Sequence, residues 1–382
     1  MNIALSTSVI QRGKTGVAQY VFALVKALLP LAARHEISLL ALEEDLPLFA
    51  FTGGRLRLEP VPERFRPAAR NVFWHQAVLP RWLRENGVDV LHVPSYRRMV
   101  WGAPCATVAT IHDLAPFHVA GKYDLARMFY GRVVARWLAR RQQAIIAISE
   151  NTARDIRQFF QVPEPRLRVI HNGIDHVRFH PGDPAAARSW ATRQRGLDQP
   201  FFLYVSRLEH PAKNHVRLIE AFSRFKSASG SPWLLALGGS DWHGAEHIHG
   251  AAAASPFARD IRFLGFVPDE DLPNLYRAAE VMVYPSLFEG FGFPPVEAMA
   301  CGCPVVSSTR GSLAEVVAQA AETVDPEDAG ALAEALRRVA LDESRRRQLR
   351  EAGFQNARRF DWNENARQVL ATYEQAWRQR LQ

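Results

Sequence analysis

Short runs of β-branched and aromatic residues alternate with helical patterns along almost the whole chain, and no other feature restricts its fold so strongly. Candidate strands cover Ile3–Ser6, Ile37–Leu42, Val88–His92, Ala106–Ile111, Ala144–Ile148 and Val169–His171. A second set covers Phe201–Val205, Trp233–Leu237, Ile261–Leu264, Val281–Tyr284 and Pro304–Ser307. Helical patterns such as Val17–Leu29, Thr152–Phe160, Val216–Phe225 and Asp271–Ala279 lie between them. This alternation predicts an α/β chain with parallel sheets covered by helices on both faces. At roughly 150 residues per domain, 382 residues suit two domains. His171-Asn172-Gly173-Ile174-Asp175 carries a turn signal, and a loose stretch over 178–200 with Pro181, Gly182, Pro184, Gly196 and Pro200 follows it. The boundary is expected near 180, giving two doubly wound, Rossmann-like domains in tandem over 1–180 and 181–361. Ligands of such sheets sit at the carboxyl ends of the strands, so the loops after the strands are where chemistry is expected.

Composition excludes the non-globular classes: 48% of residues are apolar and 23% charged. The net charge of +8 is unevenly placed. Residues 1–180 hold 24 Lys+Arg against 14 Asp+Glu, whereas 181–382 hold 23 against 25. Cys105, Cys301 and Cys303 are too few for a disulfide framework and read as free thiols. The first residues lack the positive start of a secretory signal, and no run reaches the ~18 uninterrupted apolar residues of a spanning helix. A cytoplasmic protein is expected, in water or on the inner face of the cytoplasmic membrane.

Two segments of the second half carry the strongest chemical signal. After the strand ending at Tyr284 comes Pro285-Ser286-Leu287-Phe288-Glu289-Gly290-Phe291-Gly292-Phe293-Pro294-Pro295-Val296-Glu297. Glu289 falls on a glycine-containing loop and Glu297 in the helix that Pro294 or Pro295 opens and Gly302 stops. Two carboxylates beside bare backbone amides suit gripping hydroxyls and phosphate oxygens. The bland alternative gives Glu297 to the helix dipole and the glycines to a tight turn. After the strand ending at Val205 comes Ser206-Arg207-Leu208-Glu209-His210-Pro211-Ala212-Lys213-Asn214-His215, with Asn214 as a plausible helix cap. Arg207 and Lys213 could clamp a diphosphate, the first through a planar fork and the second as a point charge.

These segments resemble the donor-binding signature of the retaining glycosyltransferases of family 4, a GT-B group, and in particular bacterial polysaccharide mannosyltransferases. Glu289 and Glu297 keep that family's spacing of seven intervening residues inside a Glu-Gly-Phe-Gly-x-Pro frame. The resemblance implies that Glu289 contacts the donor sugar, Glu297 the ribose, and the amides of Gly290, Phe291, Gly292 and Phe293 the sugar and pyrophosphate. It implies that Arg207 and Lys213 neutralise the leaving diphosphate, and that Gly265, Phe266 and Val267 border the base. Phe293, Pro295 and Ser206 depart from the family's commonest residues. In the first half, His112-Asp113-Leu114 after a strand resembles a family feature in which His112 faces the donor sugar; Asp113 either orients His112 or binds the acceptor. The segment Gln11-Arg12-Gly13-Lys14-Thr15-Gly16 resembles the family's first glycine-rich loop, so Gly16 falls on the donor side and Gly13 and Lys14 on the acceptor side. It lacks the Gly-x-Gly-x-x-Gly of a dinucleotide site.

The resemblance implies a GT-B fold whose two domains face a central cleft, with a last helix over 362–382 crossing back to the first domain. It implies metal-independent, retaining transfer of a hexose from a nucleotide diphosphate sugar, a co-substrate, with no cofactor. The acceptor would be a glycan or lipid-linked saccharide of cell-surface polysaccharide synthesis. GDP-mannose is the favoured donor, UDP-glucose or another nucleotide sugar the alternative, and a non-catalytic glycan-binding or partner-binding relative the competing class. Asp269-Glu270-Asp271 mimics a metal motif but precedes a helix and reads as its cap. His243, His247 and His249 read as part of a loop rather than a zinc site. The basic stretch 124–141, with Arg132, Arg136 and Arg140 beside Phe129 and Trp137, reads equally as an ordinary surface helix or as one lying on anionic lipid. No nucleic-acid-binding signature accompanies the positive charge.

Overall fold

Seven parallel strands build the sheet of the first unit: β1 (Asn2–Ser6), β2 (Glu36–Leu42), β3 (Arg57–Val61), β4 (Val90–Val93), β5 (Ala106–Ile111), β6 (Ala144–Ala147) and β7 (Leu167–Val169), in the order β3-β2-β1-β4-β5-β6-β7. Six more form a second parallel sheet: β8 (Phe201–Val205), β9 (Leu234–Gly238), β10 (Ile261–Gly265), β11 (Val281–Tyr284), β12 (Val305–Ser308) and β13 (Glu322–Val324), in the order β10-β9-β8-β11-β12-β13. Both orders reverse direction once, the hallmark of a doubly wound sheet. This computed structural model describes residues 1–13, 15–118 and 129–382. Its chain divides into one unit of Met1–Gly173 with Trp362–Gln382 and another of Ile174–Asp361.

Central strands are buried on both faces, and mostly apolar, because helices cover both. All six residues of β5 and all four of β4 and β6 are buried. Strand β1 is the keystone of its sheet, with Ile3 in register with both Ile37 and Val90. The edges read differently. β3 contains Arg57, Glu59 and Pro60, and β13 is three residues long, so neither was expected from hydrophobic runs. Charge and proline are what an unpaired edge tolerates and what disguises it in a sequence.

The segment expected as a loose linker is instead a helix, Pro184–Arg195. Asp183 caps it by accepting from the Ala185 amide at 2.8 Å, Pro184 opens it and Gly196 closes it in the left-handed region. Its turn-forming residues are thus helix punctuation. The last helix, Trp362–Leu381, lies in the first unit, where Ala366, Val369 and Tyr373 share a core with Tyr20, Val21, Leu24 and Val25 of the helix Gly16–Leu28. Gly16–Arg34 is long and apolar enough to cross a membrane by length and composition alone, although Gln19 and Lys26 keep it short of an uninterrupted apolar run. Its buried face is used in this core.

Candidate functional site

The second sheet reverses between β8 and β11, so the loop after β8 meets the loop after β11 at the switch point. Those loops carry Lys213 and Glu289, and the structure joins them: Lys213 Nζ donates to Glu289 Oε1 at 2.6 Å, with about 15% of each side chain exposed. Tyr284, the last residue of β11, donates its hydroxyl to the same oxygen at 3.0 Å. Burial alone would raise the Glu289 pKa. The Lys213 charge and the hydrogen bonds from Lys213, Ser286 and Tyr284 outweigh that and hold it below the usual carboxylate range. Glu289 is therefore an anion fixed in place. Lys213 is anchored from behind, since Tyr204 donates to its carbonyl at 2.7 Å. An ammonium has three donors, so two remain for a ligand.

Arg207 does not join this pair. More than half exposed, it reaches Glu209 at 3.3 Å and lies over the Trp242 indole, 4.9 Å from the ring centre. Trp242 was not foreseen; it follows β9, at the carboxyl edge where the site lies. Asn214 also departs from expectation. It occupies the cap position of the helix His215–Ser229, but in the left-handed region, and its side chain makes no cap bond. Its amide instead donates to the carbonyls of Pro285 and Pro326 at 3.0 and 2.7 Å, tying the loop after β8 to those after β11 and β13.

The Glu289 loop is braced from β12. Ser312 Oγ lies 2.9 Å from the carbonyls of both Glu289 and Phe291, and the Ser312 amide donates to Glu289 O at 3.2 Å. Gly311 takes φ +62°, and a Cβ there would fall 2.9 Å from Glu289 O. Gly292, at φ +98°, precedes the helix Phe293–Ala300, with Phe291 buried against Phe360 and Phe293. Gly290 lies half-exposed beside Glu289.

Glu297 sits on that helix and accepts from Tyr276 OH at 3.0 Å. Burial raises its pKa from 4.5 to about 7, against the lowering effects of the Tyr276 bond and Arg178. The folded chain therefore holds a proton that the unfolded chain has lost between pH 4.5 and 7, and this residue's contribution to stability falls as pH rises through that window. Glu297→Gln should remove this fall, seen as a melting-temperature difference from wild type that grows from pH 4.5 to 7 in favour of the variant; a constant difference would contradict the assignment.

Beyond β10, Gly265 takes φ +65°, Phe266 is 71% exposed and Val267 is buried against Gly238. Asp271 does not cap the helix Leu272–Ala278 with its side chain; it pairs with Arg195 at 2.5 Å, and Asp269 with Arg178 at 3.5 Å. His247 and His249 lie on the helix Ala245–Ala254, not on a loop, and His249 bonds Asp241 at 2.9 Å. Among the described residues, no three His, Cys, Asp or Glu groups converge as metal ligands.

In the first unit, His112 follows β5 with Nε2 3.2 Å from the Pro94 carbonyl. A carbonyl only accepts, so Nε2 carries the proton and Nδ1 keeps its lone pair. Burial lowers its pKa to about 4, despite Asp113 and that carbonyl, so the ring is neutral at pH 7. Tyr20 meets it edge-on at 4.8 Å, and a buried chain of hydrogen bonds runs from Tyr20 through Thr110 and His92 to Tyr373 of the last helix. Asp113 accepts from the Ala115 amide at 3.0 Å. Gly13 takes φ +79°, and Gly16 starts the first helix behind the Thr15 cap. Lys14 and residues 124–128 of the basic stretch lie outside the described residues. A cavity of about 810 Å³ opens here, lined among others by Gln11, Arg66, Arg97, Arg98, His112 and Asp113.

Residues 14–178 match the family model described as Glycosyltransferase Family 4, and residues 191–356 that of Glycosyl transferases group 1. The chain is similar to the O-antigen chain mannosyltransferase B of Escherichia coli, 27% identical over 98% of this chain and 100% of the relative. It is 30% identical to a D-inositol 3-phosphate glycosyltransferase of Salinispora tropica over 87% of this chain and 70% of that one. Among solved structures it resembles Anabaena HepE in complex with UDP and glucose, with a TM-score of 0.76, 21% identity, and 98% and 99% of the two chains covered.

Proposed function

The chain belongs to the family 4 glycosyltransferases of the GT-B fold, and from that premise we propose that it moves mannose from GDP-mannose, with retention, to a hydroxyl of a glycan or lipid-linked saccharide in cell-surface polysaccharide synthesis. The observation that carries this reading is the Lys213–Glu289 pair at the switch point of the second sheet. Glu289 offers a fixed carboxylate to sugar hydroxyls, and Lys213 keeps free donors for the diphosphate. Arg207, exposed on the same loop as Lys213, supplies a second cation for the leaving phosphates. Glu297 takes the ribose hydroxyls, the amides from Gly290 to Phe293 the sugar and pyrophosphate, and Gly265 to Val267 the base.

In this reading the departing phosphate oxygen receives the acceptor's proton as the new bond forms on the same sugar face. The charges of Lys213 and Arg207 stabilise the leaving group without a metal. His112 is neutral at pH 7, and the family resemblance assigns it to the donor sugar. The mannose donor is favoured by the similarity to the O-antigen mannosyltransferase, and UDP-glucose by the UDP and glucose of the HepE complex. A thermal-shift panel of nucleotide sugars, followed by a transfer assay with the stabilising donor, tests the reading. Stabilisation by GDP-mannose above UDP-glucose is expected, and no stabilisation by any nucleotide sugar would overturn it.

A peripheral place on the inner face of the cytoplasmic membrane belongs to the same proposal. Phe129, Val133 and Trp137 are exposed beside Arg132, Arg140 and Arg141, and Trp137 lies 5.8 Å from the exposed Trp101. Aromatic and cationic groups on one solvent face suit an anionic lipid surface. Each basic residue there adds about 1 kcal/mol of attraction, and added salt screens it. Cosedimentation with phosphatidylglycerol vesicles should be strong at low salt and weakened by Trp101→Ala with Trp137→Ala. Absence of binding at low salt would refute it.

A further inference from the structure

The first sheet also reverses, between β1 and β4, and its cavity is lined by the loops after β1, β4 and β5. Among the described residues, three arginines line it against one acid, Asp113. Arg66 is already neutralised, bonded to Asp45 at 3.1 Å and also to Glu63. Asp113 has one oxygen occupied by the Ala115 amide. Arg98 is the outlier. It is half-buried, and its guanidinium meets Asn71 Oδ1 at 2.5 Å and the Arg97 carbonyl at 3.1 Å, both uncharged oxygens. Among the described residues no carboxylate lies within 4.0 Å of it, the separation that would make an ion pair. Burial accordingly pushes its pKa down.

A guanidinium has five N–H donors, and those two bonds leave three. A cation held in a cavity without a counter-charge is costly unless a ligand supplies the charge. The neighbouring Arg97, at the same loop, brings a second guanidinium, held against Tyr96 at 3.1 Å. Two adjacent planar forks suit a tetrahedral dianion better than a single carboxylate.

We propose that this cavity is the acceptor subsite for a phosphate, with Arg98 as its fixed cation and Arg97 as a second contact, so that the acceptor carries a phosphate near the hydroxyl that is glycosylated. The proposal rests on the glycosyltransferase reading and names its acceptor class. The phosphate has two possible sources, the diphosphate of a lipid-linked saccharide or the ester of a soluble sugar phosphate.

The test compares a neutral glycoside, the corresponding soluble glycosyl phosphate and the corresponding prenyl-diphosphate-linked saccharide as acceptors. Wild type should favour at least one phosphorylated acceptor over the neutral one by about 10- to 100-fold in kcat/KM, as a charge-assisted hydrogen bond allows. Arg98→Gln should erase that preference mainly through the acceptor KM, and Arg98→Lys should restore part of it. Preference for the prenyl substrate alone identifies the lipid source, and preference for the soluble phosphate alone identifies the ester; either supports the proposal. Equal use of all three by wild type, or an equal loss on all three in Arg98→Gln, overturns it. Should no acceptor be glycosylated, the transferase reading fails, and pyrophosphate binding by calorimetry with excess GDP and UDP present judges the subsite separately. Binding lost in Arg98→Gln supports it, and unchanged binding overturns it.

Discussion

Glu289→Ala should lower kcat/KM for transfer by a factor on the order of 10²–10³, the loss typical when one group stabilising a transition state is removed. Lys213→Ala should do the same, because the two side chains form one unit through a 2.6 Å bond. The double variant should therefore lose little more than either single variant, a non-additivity that a double-mutant cycle reads directly. Each single change also strands a partner: without Lys213, the half-buried Glu289 keeps only neutral donors, including Tyr284 at 3.0 Å. That costs about 1–3 kcal/mol of stability, measurable by urea unfolding. Glu289→Gln separates charge from shape, since it retains an oxygen for Tyr284 and loses the ion pair. Full activity in any of these purified variants would remove the pair from the mechanism.

Gly311→Ala should be nearly as damaging although residue 311 has no side chain to offer a ligand. The added Cβ would lie 2.9 Å from Glu289 O and 3.0 Å from Glu289 N, and φ +62° is strained for alanine. The expected cost is about 1–3 kcal/mol of stability. Because the clash falls on Glu289 itself, transfer should also fall by about 10-fold or more, as small misplacements at a reacting centre do. Ser312→Ala provides the graded comparison: its single hydroxyl proton is shared between Glu289 O and Phe291 O, both at 2.9 Å. Its loss should loosen the loop with a smaller effect. Activity unchanged in Gly311→Ala while stability drops would show that the brace serves folding alone.

The interior of both sheets was legible because strands buried on two faces are made mostly of apolar residues, as Ala106–Ile111 and Val281–Tyr284 are. What escaped was structure whose local signals have two meanings. Arg57–Val61 carries proline and charge because it is an edge strand. Asp183, Pro184 and Gly196 punctuate a polar helix and resemble a linker. Asn214 and Asp271 sit where caps belong, yet their side chains are drawn to Pro285 and Pro326 and to Arg195, partners far away in the chain. At the site, the spacing of Glu289 and the cation Lys213 was visible, whereas their meeting was not. It depends on the switch point between β8 and β11, which strand order alone reveals. Arg98 is the extreme case. In Tyr96-Arg97-Arg98 nothing marks it out from a solvated charge, and only burial without a counter-ion among the described residues distinguishes it.

The most direct test is the anomeric configuration of the product formed from an α-linked nucleotide hexose, read from the one-bond carbon–hydrogen coupling at the new linkage. An α-linked product that disappears in Lys213→Ala is the predicted result. A β-linked product, or equal transfer by Lys213→Ala, would contradict the account.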